Sequence, residues 1–370
     1  MVYTTPVMAA LPSGKAKLRK ILLLQPSYIG DVVFASPLVK AIKRRYPDSR
    51  ISLLVDARSR EVARYIPGVD EILSFDRQRA DRGLTGLLQT AGRIRRGGYD
   101  LLLAPHRAAR TSLLALFSGV PLRVGYGGVL GRLAYHLRAQ RQKDEPCELA
   151  QDAGLLKLLG IELDDTRLSL HRPRGLDAYL ESFFYTNGLK QSDRLAALCP
   201  GAIIESKRWP AVYFASLAEM LKLRGLKPVL FGGPAESRLA LEIMGACREK
   251  IYSCIGNRLE EAAALLGRCE VCVGGDSGLT HMARALGLPT VIIFGPTDPR
   301  AHRFEEHTRV LTASLPCRPC SRKGGPKRCP YGHHDCMRLV SPEQVIKAVR
   351  QLVNLKTPPP PAEPVGQPGK

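Results

Sequence analysis

The 370-residue chain contains no apolar run long enough to cross a bilayer, so no transmembrane helix is expected. Its first twenty residues do not read as a secretory leader either. Lys15, Lys17, Arg19 and Lys20 follow the weakly apolar stretch instead of preceding it. Both absences point to the cytoplasm. Aromatic residues make up only 6% of the chain, with a single Trp. No basic run is interleaved with aromatics, which weighs against a single-strand nucleic-acid binder. Neither Gly-x-Gly-x-x-Gly nor a P-loop occurs at a strand–helix junction, which argues against a dehydrogenase or an ATPase. Nor is there an Asp-x-Asp that would hold a diphosphate through a metal.

What the chain has in excess is positive charge, a formal net +21. Residues 1–172 alone carry 28 Lys and Arg against 16 Asp and Glu. Such a field favours phosphorylated substrates, an acidic membrane surface or nucleic acid, and charge alone does not choose among them. Ten cysteines in a cytoplasmic chain do not suggest a disulfide framework. Cys147, Cys199, Cys247, Cys254, Cys269 and Cys272 lie in apolar segments and read as small buried side chains. The other four cluster near the C-terminus.

From Lys20 onward, short β-branched or leucine-rich runs alternate with helical spacings, the pattern of parallel βαβ units. Strands are predicted at Ile21–Gln25, Ile51–Val55, Glu71–Phe75 and Leu101–Ala104, with helices over Val33–Arg45, Ser59–Tyr65 and Leu84–Arg96. A second series begins near residue 190. Its strands are Leu195–Cys199, Pro228–Phe231, Ile251–Ser253, Val271–Gly274 and Thr290–Phe294, and its first helix opens at Pro210 and stops at Gly225. The expected organisation is α/β: a disordered extension over 1–17, a Rossmann-like domain over 18–175, and a second over 176–340 that includes a Cys-rich segment, 317–336. A C-terminal helix over 341–355 and a disordered Pro-rich tail over 356–370 complete the chain. Two open parallel sheets put ligands at the carboxyl ends of their strands.

Four motifs fall at such places. Pro26-Ser-Tyr-Ile-Gly30-Asp31 follows the first strand, and Asp31 reads either as a catalytic carboxylate or as an acidic N-cap. Pro200-Gly201-Ala202 precedes Lys207-Arg208-Trp209-Pro210, where a diphosphate would meet a cation and a helix N-terminus. The alternative is a solvated basic loop under the one Trp. Gly274-Gly275-Asp276-Ser277-Gly278 then runs into a helix bearing His281, a phosphate-cradling turn. A Ser277–His281 nucleophile pair competes, but the Gly-x-Ser-x-Gly elbow is broken by Leu279; a structural histidine is the bland reading. Finally, Cys317-x2-Cys320-x8-Cys329-x6-Cys336 offers four thiolates to a structural zinc, with His333 or His334 as substitutes and free thiols or a reversible disulfide as rivals.

These residues, in this order, with Phe231-Gly-Gly-Pro-Ala-Glu236 and Gly295-Pro-Thr-Asp298-Pro299 between and after them, resemble glycosyltransferase family 9, the lipopolysaccharide heptosyltransferases, from about Lys20 to Val353. The Pro-Gly-Ala version and the Cys-rich segment look most like the type II enzymes. The resemblance implies a GT-B architecture of two Rossmann-like domains facing a cleft. It also implies inverting transfer of L-glycero-D-manno-heptose from an ADP-sugar donor to a lipopolysaccharide core acceptor, heptosyl-Kdo2-lipid A, at the anionic inner face of the inner membrane. Carried over, Asp31 is the general base. Lys207, Ser277 and Gly278 hold the diphosphate, Glu236 reaches the ribose or adenosine, Asp276 orders the turn, and His281 approaches a phosphate or the sugar. No cofactor is required for that chemistry, and nucleic acid is not an expected partner. Other readings are a family member with another nucleotide sugar or acceptor, and a non-catalytic sugar-nucleotide-binding protein. Ala202-Ile203 offers no hydroxyls where some relatives have threonines.

Overall fold

The structure, a computed structural model, describes residues 18–76, 78–320 and 326–356. The expectations for 1–17 and 357–370 lie outside the described residues. Lys356, the first residue of the expected tail, is described, and its N–H donates to the Arg224 carbonyl at 3.2 Å. The chain divides into two compact units: residues up to Arg172 with Arg300–Phe304, and Pro173–Pro299 with Glu305 onward.

In the first unit the strands are β1 (Lys20–Gln25), β2 (Arg50–Asp56), β3 (Glu71–Phe75), β4 (Leu101–Ala104), β5 (Leu122–Tyr126) and β6 (Leu137–Ala139). They form one parallel sheet in the order β3-β2-β1-β4-β5-β6. Ile21–Leu24 and Leu101–Leu103 are wholly buried, as continuous apolar strands covered on both faces should be. The helices are α1 (Ile29–Val33), α2 (Ser36–Arg45), α3 (Arg60–Ala63), α4 (Gly83–Arg96), α5 (Ala109–Phe117), α6 (Val129–Ala134) and α7 (Glu148–Lys157).

The helix expected over Val33–Arg45 is interrupted. Pro37 has no N–H to give the Val33 carbonyl, and the Ser36 hydroxyl donates to that oxygen instead, at 2.8 Å. The chain turns there, ending α1 and starting α2.

The second unit begins with helix α8 (Asp177–Asn187). Its strands are β7 (Leu195–Cys199), β8 (Lys227–Gly232), β9 (Tyr252–Ile255), β10 (Cys269–Gly275), β11 (Thr290–Phe294) and β12 (Thr308–Thr312). They are parallel, in the order β12-β11-β10-β7-β8-β9. The helices that follow are α9 (Ala211–Lys222), α10 (Ser237–Gly245), α11 (Leu259–Leu266), α12 (Gly278–Ala285), α13 (Asp335–Arg338) and α14 (Pro342–Arg350). Both sheets therefore have the same winding, with the strand order reversing between β1 and β4 in one and between β7 and β10 in the other. Crevices open at the carboxyl ends of strands at such reversals.

Five of the six cysteines read as small buried side chains are buried, and Cys247 is half-buried. All six are free thiols. Among the described residues, no helix is long and apolar enough to cross a membrane.

Candidate functional site

In the first unit, Asp31 stands just beyond the carboxyl end of β1, beside the strand reversal. It is exposed and lies in the first turn of α1. It is not the N-cap: Tyr28 holds that position and makes no side-chain cap. The Ser27 hydroxyl donates instead to Asp31 Oδ2, and Gln25 Nε2 donates to the Asp31 carbonyl at 3.1 Å. Ser27 is fixed in turn, because Ser59 Oγ donates to its carbonyl at 2.8 Å. Arg58 pairs with buried Asp56 at 2.8 Å and lies 5.2 Å over the Tyr28 ring. The Asp31 carboxylate is thereby met by Ser27, whose loop is pinned in turn by Ser59, just after β2.

In the second unit, the turn between β10 and α12 is built around Asp276. Its carboxylate accepts from Lys207 Nζ at 2.6 Å, Thr297 Oγ1 at 2.9 Å and His281 Nε2 at 2.9 Å. Three segments of chain, those after β7, β10 and β11, are thus tied to one buried acid. Burial holds the His281 imidazole below its usual range, against the opposing pull of Asp276. On its other side Arg284 Nη1 lies 3.2 Å from His281 Nδ1. Arg284 is itself fully buried and pairs with Glu305 at 2.9 Å. The imidazole belongs to an internal network and faces Asp276, not Ser277.

Ser277 is the N-cap residue of α12, and its hydroxyl meets Thr280 Oγ1 at 3.0 Å. The first intrahelical donor is His281 N, to the Ser277 carbonyl at 3.1 Å. The N–H groups of Gly278, Leu279 and Thr280 therefore have no acceptor inside the helix, the arrangement that binds phosphate. The glycines before them are required by close approach. A Cβ on Gly275 would meet the Lys207 carbonyl oxygen at 2.6 Å, and one on Gly274 would meet Thr280 Oγ1 at 2.5 Å.

Gly201 is also required by close approach. A Cβ there would strike Glu236 Cγ at 2.4 Å, so the glycine makes room for that side chain. Glu236 is half-buried and accepts from Gly233 N at 2.9 Å. The basic loop before α9 is not solvated. Lys207 turns in to Asp276, and Arg208 Nε donates to the Ala202 carbonyl at 2.9 Å. Trp209 is 1% exposed, packs edge-on against Phe214, and donates Nε1–H to the Val340 carbonyl at 2.8 Å. It anchors the segment leading into α14.

In the Cys-rich segment, residues 321–325 lie outside the described residues. Cys317 Sγ is 3.9 Å from His333 Nε2, and the Cys320 thiol donates to the Cys317 carbonyl at 3.2 Å. Backbone N–H groups of residues 331–334 hold the Cys329 thiol below its usual range, against desolvation. Cys336 is buried, which pushes its thiol up to about 11, and the thiols of Cys320, Cys329 and Cys317 add to the shift. His334 bonds the Ser206 carbonyl at 2.7 Å and faces away from this group. Among the described residues, no three ligand atoms of this segment lie within 4.8 Å of one another.

Sequence reasoning did not assign Ser27, Thr297, Arg284 or Glu305 a part in these networks. Ser27 and Thr297 lay inside motifs already singled out, whereas the Arg284–Glu305 pair spans 21 residues and left no local signal.

Comparison with known proteins gives these arrangements a context. The model for glycosyltransferase family 9 (heptosyltransferase) matches residues 88–329. Lipopolysaccharide heptosyltransferase 2 of Salmonella typhimurium is 26% identical over 354 residues, spanning 90% of this chain and 99% of that protein. The crystal structure of a family 9 glycosyltransferase from Veillonella parvula has a TM-score of 0.81 at 25% identity, covering 92% of this chain and 98% of that one. The E. coli ADP-heptose lipopolysaccharide heptosyltransferase II structure gives 0.71 at 24% identity, over 90% and 98%. The paired doubly wound units are the GT-B type shared with these neighbours. With well over half of its length matched, this chain belongs to glycosyltransferase family 9, the heptosyltransferases.

Proposed function

We propose that the chain transfers L-glycero-D-manno-heptose from ADP-heptose to the inner core of lipopolysaccharide, heptosyl-Kdo2-lipid A, with inversion at the anomeric carbon. The observation that carries this reading is the end-to-end match to lipopolysaccharide heptosyltransferase 2, over 99% of that protein. A family member using another sugar would share the nucleotide side of the site, so the donor sugar and acceptor rest on that match.

The chemistry follows from the residues. An acceptor hydroxyl oxygen bonds to the anomeric carbon as the bond from that carbon to the diphosphate oxygen breaks. The hydroxyl proton passes to Asp31, whose exposed carboxylate at the carboxyl end of β1 suits a general base. ADP departs with added negative charge. The N–H groups opening α12 at Ser277–Gly278, together with Lys207, would stabilise that charge. Glu236 would bind the ribose or adenosine. Asp276 and His281 act from beneath the turn, fixing Lys207 and the cradle in place. No metal is needed for a departure assisted in this way.

Cys317, Cys320, Cys329 and Cys336 would hold a structural zinc. Four thiols within twenty residues of sequence, one of them served by a run of backbone N–H groups, suit a soft cation that crosslinks a loop-rich segment. The enzyme would work on the cytoplasmic side, peripheral to the anionic inner membrane, held there by its positive charge.

The test is ADP release from ADP-heptose, with and without heptosyl-Kdo2-lipid A, in wild type and Asp31→Ala. Release should require the acceptor and fall by about 10²–10⁴-fold in the variant, with ADP affinity kept. Tight ADP binding without release on any acceptor would reject the transferase reading.

A further inference from the structure

Helices α4, α5 and α6 lie side by side over one face of the first unit's sheet, α4 against α5 and α5 against α6. Their inner sides are ordinary core: Leu87, Ala91 and Ile94 of α4, Leu114 and Ala115 of α5, and Ala134 of α6. Their outer side departs from the usual surface in two ways.

One departure is apolar exposure. Among the described residues, six large apolar or aromatic side chains are exposed in this unit, and five belong to these three helices: Leu84, Leu88, Phe117, Val129 and Leu133. Val129 is 87% exposed, Leu133 66% and Leu84 65%. Scattered single cases would need no explanation. Here Leu84 and Leu88, like Val129 and Leu133, are four apart and share one outward stripe of their helix.

The other departure is charge. The three helices contain no Asp or Glu at all, against Arg93, Arg95, Arg96, Arg110 and Arg132. Over 81–143 there are eleven Lys and Arg and two acids: Asp81, which is buried and pairs with Arg93 at 2.6 Å, and Asp100. Asp100 lies at the opposite edge of the sheet, accepting from the N–H groups of Arg19 and Lys20. Arg82, Arg132 and Arg138 are exposed beside the apolar stripes.

The placement is also directional. Each of these helices starts where a strand ends, so Leu84 and Val129, in the first turns of α4 and α6, lie at the carboxyl edge of the sheet. Asp31 lies at that same edge. A nucleic-acid surface would carry the arginines without the leucines, and a protein-binding face would not require the complete absence of acids. Apolar side chains beside exposed arginines, on helices without acids of their own, suit a boundary that is oily within and anionic at its rim.

We propose that the outer face of α4 and α6 is the surface by which this chain docks on an anionic lipid bilayer, with Leu84, Leu88, Val129 and Leu133 entering the headgroup–acyl boundary and Arg82 and Arg132 meeting lipid phosphates. Docking there brings the Asp31 edge toward an acceptor whose lipid part stays in the bilayer. That consequence rests on the transferase reading; the docking itself does not.

The test is sedimentation of the full chain with phosphatidylglycerol-containing and pure phosphatidylcholine vesicles. Wild type should bind only the former, and less with added salt. The variant L84S/L88S/V129S/L133S should partition at least about tenfold more weakly, and Arg82→Glu with Arg132→Glu should abolish binding. Leu241→Ser, an equally exposed leucine on α10 of the other unit, should change nothing. ADP affinity, unaltered in all of them, certifies the fold. On bilayer-embedded acceptor the four-residue variant should lose activity, and on de-acylated acceptor it should not. Vesicle binding equal to wild type in the apolar variant would overturn the proposal. So would duplex DNA displacing the vesicles, or a dimer that buries this face. Vesicle binding that behaves as stated with no ADP release on any acceptor would reject the transferase reading and leave the docking surface standing.

Discussion

Lys207 Nζ and Asp276 Oδ2 meet at 2.6 Å, their side chains only 13% and 7% exposed, and this pair ties the loop after β7 to the turn after β10 across the reversal of one sheet. Removing Asp276 strands the lysine charge in a nearly dry site and takes the acceptor from His281 and Thr297 as well. Asp276→Ala is expected to cost about 3–5 kcal/mol, lowering Tm by roughly 10 °C. Lys207→Ala leaves the other two bonds to the carboxylate, so its melting shift should be smaller. Its main loss should be in ADP-heptose turnover, about 10²-fold, through charge stabilisation of the leaving diphosphate. Thermal melts and ADP release on both variants check this. Equal melting shifts would show that Asp276 is not the hub.

His281 sets a pH dependence of stability. Burial lowers its folded-state pKa, Asp276 opposes, and Arg284 and Lys207 reinforce the lowering; Glu305 faces the network through Arg284. The unfolded chain therefore takes up a proton that the native imidazole refuses. The stabilisation is complete above about pH 6.5, the unfolded value, and is lost as pH falls below it. Tm should drop from about pH 6.5 toward 5, and the slope should be shallower in His281→Asn. A parallel slope in the variant would assign the titration to another group.

Much of this site could be read from the chain because its parts are local. Asp31, Asp276 and Ser277 each follow a largely apolar strand, and a parallel strand buried on both faces advertises itself. β5 and β12 were missed for the opposite reason. Leu122–Tyr126 carries Gly125, which is there to admit the Tyr135 ring, 2.5 Å from where its Cβ would be. Thr308–Thr312 is a partly exposed edge strand with few apolar residues. Side-chain direction was hidden as well. Nothing in the spacing of Lys207 and Asp276, or of Arg284 and Glu305, says that they pair, because the pairing depends on strand order in the sheet. Trp209 illustrates the same point: its partner, the Val340 carbonyl, is 131 residues away.

The four cysteines of 317–336 give a prediction independent of catalysis. The purified chain should carry one zinc, measured by elemental analysis. Stripping it with a chelator should lower Tm, and zinc should restore it. Cys329→Ser should remove both the metal and the chelator effect, since a thiol held below its usual range by backbone N–H neighbours is prepared to bind as thiolate. Metal-free protein whose four thiols react freely with a thiol reagent would rule out the zinc site.

Ser27 should matter to the rate without touching the donor. Its hydroxyl donates to Asp31 Oδ2, and it is only 8% exposed, pinned through its carbonyl by Ser59. Ser27→Ala removes one orienting bond from the proposed base while leaving the proposed nucleotide-binding turn of the other unit intact. The expected result is a kcat lower by about tenfold, or about 1.4 kcal/mol, with KM for ADP-heptose unchanged. Ser27→Thr, which keeps the hydroxyl, should recover most of it. The double variant decides whether the effect runs through Asp31. If Ser27 acts only by aiming that carboxylate, Ser27→Ala with Asp31→Ala should be no slower than Asp31→Ala alone, because the bond has nothing left to orient. A further tenfold loss in the double variant would instead mean that Ser27 acts on the acceptor directly.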